Sequence, residues 1–122
     1  MARITPEYNP KRYPRIGVNI NDKDQPFTAQ ILSGKKTVET RDSATNALRP
    51  LQGQRGGIGR TGKGKAKLVG YATVGKEIVY RTKASFNRDV KKHMVTGGAY
   101  GFKKIKYGYP MLDVESVSPQ DV

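Results

Sequence analysis

The 122-residue sequence lacks cysteine and tryptophan, and it contains a single histidine, His93. Without cysteine, neither a disulfide scaffold nor a cysteine-ligated zinc site can form. One histidine is too few for a histidine-rich metal centre or a conventional Ser-His-Asp triad. We therefore expect no metal and no cofactor, and we interpret His93 as a residue at the border of a helix rather than as a catalytic group.

Long hydrophobic runs are also missing. No apolar stretch approaches the length of a membrane span, and the N-terminus lacks the apolar segment of a signal peptide. These absences favour a cytoplasmic protein, either bacterial or, if phage-encoded, in the host cytoplasm. The chain length is typical of one domain, and we expect a monomer that does not associate with membranes.

Acidic residues are scarce: 10 Asp and Glu stand against 23 Lys and Arg, which gives a net charge of +13. Residues 43–76 contain seven basic residues and no acid, and residues 90–112 contain five lysines and no acid. Charge segregated in this way favours binding of a polyanion through counterion release. A merely basic, soluble surface and an acidic protein partner remain as alternatives.

Residues 24–33 predict a short helix, with Asp24 as its N-cap and Pro26 in its first turn. Gly34 is expected to end this helix, because the residue after a helix often needs positive φ. The next residues, 37–41, are rich in β-prone types and predict a strand. Its alternation places Thr37 on the same face as the two charged residues that follow it at intervals of two.

The charged residues of this stretch form the pattern Gly34-x-Lys36-x-x-Glu39-x-Arg41. The pattern resembles the signature of the ASCH domains, a PUA-like family, and matches it in full. The resemblance covers roughly residues 16–117. It implies an α+β fold: a small mixed β-barrel of five or six strands with two short helices packed outside. It also implies a cleft that binds a nucleotide or nucleobase, lined by Lys36, Thr37, Glu39 and Arg41. By residue type alone these side chains would be interpreted as solvated ion pairs.

The sequence divides into a basic, proline-rich N-terminal arm (1–14), a single ASCH/PUA-like domain (15–117) and a C-terminal tail (118–122). Within the domain, residues 66–74 predict the strongest strand. From Ser85 onward the apolar residues recur every four positions and predict a second helix; these are Phe86, Val90 and Met94.

A glycine-rich basic turn lies at residues 57–65. It resembles the start of a nucleotide-binding P-loop, but Gly64 occupies the position of the magnesium-binding Ser or Thr and a strand follows instead of a helix. We interpret the segment as a hairpin turn. Its cations, Arg60, Lys63 and Lys65, are either simply exposed or in contact with a nucleic-acid backbone.

Aromatic residues alternate with lysines in a second loop. Lys103 and Lys104 are candidates for backbone contacts with nucleic acid, and Tyr100 and Phe102 for base stacking. Packing of these rings against the core is the alternative.

The leading hypothesis is therefore a domain that binds RNA, other single-stranded nucleic acid or a modified nucleotide in the motif cleft. The second is a small nucleoside or RNA hydrolase in which Lys36 is the catalytic base, similar to the amidohydrolases or ribonucleases of the wider family. The amidohydrolases also use a threonine three residues after the lysine, where this chain has Glu39. The third is a basic interaction protein with an acidic partner.

Overall fold

The computed structural model describes residues 14–97 and 100–121. The predicted N-terminal arm therefore lies, except for Pro14, outside the described residues. The elements follow one another in the order β-α-β-β-β-β-α-α-β. The strands are β1 (Gly17–Asn21), β2 (Val38–Arg41), β3 (Arg55–Thr61), β4 (Lys67–Val74), β5 (Ile78–Tyr80) and β6 (Lys106–Asp121).

The strands form one mixed sheet with the order β1-β3-β4-β6-β2, and β5 pairs with the start of β6 on the edge opposite β2. Among the strands of the described residues, only the β1–β3 pair is parallel, with Val18 opposite Ile58. The sheet is curled into a half-barrel, which confirms the predicted α+β barrel of five or six strands. β1 and β2 lie at the two ends of the strand order, and no ladder joins them in the described part of the chain.

Three short helices accompany the sheet: α1 (Phe27–Leu32), α2 (Lys83–Arg88) and α3 (Val90–His93). α1 and β1 contribute Phe27, Ile31, Val18 and Ile20 to the core. The inward faces of β3, β4 and β6 complete it with Ile58, Val69, Val74 and Met111. Buried and exposed residues alternate along β1, so one face of the strand packs on the core.

The second helix is interrupted rather than continuous. Asp89 lies between α2 and α3 with φ −96° and ψ 17°, and its carboxylate accepts a hydrogen bond from the Tyr80 hydroxyl at 2.7 Å. Met94 has left-handed φ of 59° and ends α3 instead of continuing the helical face. Three short helices therefore replace the two that were predicted.

Two further expectations are corrected at the element ends. Asp22, not Asp24, accepts hydrogen bonds from the first turn of α1. The backbone N–H of Thr28 donates to the Asp22 carboxylate at 3.0 Å, and the Thr28 hydroxyl donates to the same carboxylate. The predicted C-terminal tail is part of β6, since Gln120 and Asp121 pair with Leu68 and Lys67 of β4. This stretch is polar because it pairs through its backbone at an exposed end of the sheet.

Candidate functional site

A cleft of about 190 Å³ opens where β1 and β2 face each other without a ladder. Its walls come from the end of β1, from α1, from β2 and from the loop before β6. The lining residues are Ile20, Asn21, Phe27, Lys36, Glu39, Thr40, Arg41, Asp42, Val95, Tyr100 and Lys106. The chain reverses from α1 into β2 through Gly34, which has the expected positive φ of 81°. This turn brings the motif side chains to the cleft.

Lys36 is the most deeply buried charged residue of the cleft, with 1% of its surface exposed. Its Nζ donates to the carbonyl oxygen of His93, lies 3.6 Å from Oε1 of Glu39 and lies 4.7 Å from the centre of the Phe27 ring. Burial lowers the pKa of Lys36, and the charge of Glu39 opposes that effect. Lys36 is thus held rigidly with its ammonium facing a carboxylate, an aromatic ring and the cleft.

Arg41 closes the gap between the two end strands. Its Nη2 donates to the carbonyl oxygen of Asn19 on β1 at 3.0 Å and lies 3.3 Å from Oε2 of Glu39 on its own strand. Its Nε is buried and has no hydrogen-bond partner among the described residues. A buried N–H without a partner is unfavourable and marks a position where a ligand acceptor would be stabilising.

Lys106 is a cleft residue that the sequence did not single out, because it appears there as one of many lysines. Its side chain is 4% exposed, and its Nζ donates to Asp42 and to the carbonyl oxygen of Tyr100, both at 2.6 Å. It ties the end of β2 to the loop before β6. A buried ammonium group requires such partners. These partners mark Lys106 as a cleft residue, and they are not visible in the sequence.

His93 is the last residue of α3, as expected for a residue at the border of a helix, and it lies fully buried beneath the cleft. Its Nδ1 accepts from the backbone N of Val95 at 3.0 Å, so Nε2 carries the proton and donates to the Phe86 carbonyl at 2.7 Å. The ring stacks on Phe86 at 4.0 Å. Both ring nitrogens are hydrogen-bonded to backbone groups. We therefore interpret His93 as the residue that positions its own carbonyl, which accepts the hydrogen bond from Lys36.

The structure brings together most of the predicted cleft residues, but not all. Lys36, Glu39, Arg41 and Tyr100 line the cleft. Thr37 is exposed and precedes β2, and its backbone N donates to Lys92 instead. Phe102 is half-buried and packs against the core, with its ring centre 6.0 Å from that of Phe86. The ring of Phe102 therefore lies outside the cleft, and for this residue the structure agrees with packing rather than with base stacking.

The two sets of predicted backbone-contact residues differ in their surroundings. Arg60 lies half-buried inside β3, and Lys65 forms an exposed ion pair with Asp121 at 3.1 Å. Lys63 is exposed in the turn that follows Thr61, and Thr61 pairs with Asn21 at the cleft. Exposed Lys103 and Lys104 line a recess of about 280 Å³ that shares Asp42 and Lys106 with the cleft; its lining is completed by Gly101.

The cleft combines an apolar wall with a charged wall. Ile20, Phe27 and Val95 form the first, and the Tyr100 ring stands edge-on to Phe27 at 5.5 Å. Lys36, Glu39 and Arg41 form the second. Among residues 14–97 and 100–121 there is no group of three or more His, Cys, Asp or Glu that is able to hold a metal ion. The arrangement suits a flat ligand with hydrogen-bonding edges.

No helix in the described ranges is long and apolar enough to cross a membrane. No protein-family model and no curated protein matches the sequence significantly.

Solved structures do resemble the chain. An ASCH protein from Zymomonas mobilis has a TM-score of 0.68 and 20% sequence identity, over 85% of this chain and 72% of that one. Variants of that protein with tyrosine changed to phenylalanine and with serine changed to alanine give TM-scores of 0.67 and 0.65 at 20% and 22% identity. They cover 74% and 72% of those chains and 85% and 84% of this one. The chain has the fold of the ASCH proteins, as the motif resemblance implied.

Proposed function

We propose that this protein binds single-stranded RNA, or a nucleotide, by placing one base in the cleft between β1 and β2. The observation that carries the proposal is the convergence of Lys36, Glu39 and Arg41 on a small cleft with an apolar opposite wall. Bases need this combination, because their faces are apolar and their edges carry donors and acceptors. The cleft volume is below the range of drug-sized pockets and suits a single base or nucleoside.

The charged wall offers both kinds of hydrogen bond. Glu39 is 7% exposed and accepts, as carboxylates do from the exocyclic amine of cytosine. Lys36 and Arg41 are the donors, and their charge strengthens a hydrogen bond to a base carbonyl. Tyr100, on the apolar wall, supplies a ring on which a base can stack. Binding of this kind would take place in the cytoplasm.

The test is a titration of labelled single-stranded RNA into nuclease-treated protein, with Lys36→Met and Arg41→Ala beside the natural sequence. Methionine keeps the buried aliphatic volume of Lys36, and Arg41 is 26% exposed, so the second variant disturbs the fold less. We expect each variant to weaken binding at least tenfold, because each removes a charge-assisted hydrogen bond to the ligand.

Thr37→Ala is the matched control, because Thr37 belongs to the same motif but is exposed away from the cleft. Its affinity for RNA should equal that of the natural sequence. Thermal unfolding of every variant separates a lost contact from a lost fold. Unchanged affinity in a folded Arg41→Ala variant would move RNA binding elsewhere on the surface and refute the proposal.

A second candidate function is hydrolysis of a nucleoside or of RNA in the same cleft. The lowered pKa of Lys36 favours it, since a lysine acts as a base only when it is neutral. Against it, Nζ is already engaged by the His93 carbonyl and Glu39. Incubation of nucleosides, acetylated cytidine and RNA with the protein, followed by chromatography, distinguishes the two: product that is absent with Lys36→Met establishes turnover.

An acidic protein partner would also suit the net charge of +13. A complex purified after nuclease treatment, insensitive to Arg41→Ala and formed without any RNA affinity, would favour that alternative over binding in the cleft.

A further inference from the structure

The recess beside the cleft carries more positive charge than its surroundings neutralise. The recess is lined by three lysines and one carboxylate: Lys103, Lys104, Lys106 and Asp42. The net charge of its lining is therefore +2. Asp42 already pairs with Lys106 at 2.6 Å. Lys103 and Lys104 have no ion pair with any described residue, in contrast to Lys65 and Lys67, which share Asp121.

The recess and the cleft are adjacent, with the Lys106–Asp42 ion pair as their common wall. Gly101 contributes backbone rather than a side chain to the recess, so a tetrahedral anion can approach closely. A ligand that fills the cleft with a base would direct its sugar and phosphate along this wall. Lysine ammonium groups are compact donors suited to phosphate oxygens.

We propose that the cleft takes a nucleotide rather than a free nucleoside, and that the recess of Lys103 and Lys104 holds its phosphate group. This inference rests on the proposed function, because it assumes that the base occupies the cleft. It assigns the two exposed lysines to one defined phosphate, in place of general attraction to a nucleic-acid backbone. In this arrangement the Lys106–Asp42 ion pair orients the nucleotide between the cleft and the recess.

The experiment measures, by calorimetry at low ionic strength, the affinities of the four ribonucleosides and of their 5′- and 3′-monophosphates. For the base that binds, we expect one of the two monophosphates to bind roughly fivefold or more tightly than the nucleoside, because exposed charge-assisted contacts to phosphate are of that order. Lys103→Ala/Lys104→Ala should abolish this gain and leave nucleoside affinity unchanged.

Lys76→Ala/Lys91→Ala is the matched control: it removes two exposed lysines that form no ion pair with a described residue and that line neither compartment. It should keep the gain. Equal affinity for nucleoside and both monophosphates, no binding of either kind, or a gain that survives Lys103→Ala/Lys104→Ala would overturn the inference. Inorganic phosphate that binds as well as the nucleotide, and equally in Arg41→Ala, would show an independent anion site and also overturn it.

These outcomes differ from failure of the proposed function. If the proposed function is wrong, the affinities for RNA and for nucleosides will be unchanged by Arg41→Ala. Failure of the inference alone would leave nucleoside binding dependent on Arg41 while the phosphate group contributes nothing.

Discussion

At the scale of single residues, the unusual groups are two lysines whose side chains are almost fully buried, Lys36 and Lys106. Removing an ammonium group from water is unfavourable unless partners replace the lost hydration. Lys36 has the His93 carbonyl and Glu39, and Lys106 has Asp42 and the Tyr100 carbonyl. Three of these four partners, Glu39, Asp42 and Tyr100, line the cleft. We therefore interpret the burial of the two lysines as preorganisation of a ligand site rather than as a source of stability.

His93 gives the first prediction at this scale, on pH. Burial lowers its pKa below the usual value of 6.5, and the nearby charges of Lys36 and Lys106 act in the same direction. Above pH 6.5 the ring is neutral in both the folded and the unfolded chain. As pH falls below 6.5 the unfolded chain takes up the proton first, so folding stability decreases until the folded pKa is reached, by at most about 1.4 kcal/mol per pH unit.

Because His93 is the only histidine, its ring protons can be followed by NMR without assignment. We expect a titration midpoint below 6.5 and a parallel loss of unfolding free energy between pH 6.5 and that midpoint. His93→Gln should be less stable at neutral pH, since it loses the stacking on Phe86, but should lack this pH dependence. A midpoint at or above 6.5 would contradict the effect of burial on the ring.

How far single residues could be predicted depended on whether their role is local. The φ of Gly34 and the convergence of Lys36, Glu39 and Arg41 follow from spacing within eight residues, and the sequence displays that spacing. The role of Lys106 depends on Asp42, which is 64 positions away. Such a pairing exists only after the fold has formed, and one sequence contains no trace of it.

At the scale of elements, β6 organises the molecule: its first residues pair with β5 on one edge and β2 on the other, and residues 111–121 pair with β4. Its last residues were predicted to be a tail because they are polar and follow no alternating pattern. Gln120 and Asp121 nevertheless pair with β4 through the backbone, and the Asp121 carboxylate adds exposed ion pairs with Lys65 and Lys67. Sequence patterns detect burial of side chains, and this end of the strand buries few.

Truncation of the chain after Val117 tests this element. We expect the free energy of unfolding to fall by about 2 kcal/mol, since about two ladder hydrogen bonds, each near 1 kcal/mol, are lost with the pairs to Leu68 and Lys67. Urea denaturation followed by circular dichroism measures it. Asp121→Asn is the control: it removes the ion pairs with Lys65 and Lys67 and keeps the backbone, so its stability should stay close to that of the full chain. Equal stability of the truncated and full chains would show that the segment is indeed a tail.

The helical region illustrates the other limit of prediction at this scale. Phe86, Val90 and Met94 have helical spacing, but only Phe86 is fully buried. The hydrogen bond from Tyr80 to Asp89 stabilises the break between α2 and α3, and it joins the helices to β5. A tertiary contact of this kind overrides periodicity, so the position of the break could not be predicted from the sequence.

At the scale of the whole molecule, the excess of positive charge acts on any nucleic acid before the cleft does. For single strands, the logarithm of affinity falls with the logarithm of salt concentration with a slope of about −0.7 per phosphate contact. Among the exposed lysines near the cleft, Lys63, Lys103 and Lys104 have no ion pair with a described residue. Because Lys103 and Lys104 share one phosphate, these three lysines contact about two phosphates and predict a slope of about −1.4 for single-stranded RNA.

The salt slope and the cleft contribute separately, and variants distinguish them. Lys103→Ala/Lys104→Ala should reduce the slope by about 0.7, because the one phosphate contact that the two lysines share is lost. Arg41→Ala should lower the affinity at every salt concentration and leave the slope nearly unchanged, because its contact is to the base in the cleft. Fluorescence anisotropy between about 50 and 200 mM salt measures both quantities. A slope near zero, or one that the lysine substitutions leave unaltered, would mean that the basic loop does not follow the RNA backbone and that the cleft acts alone.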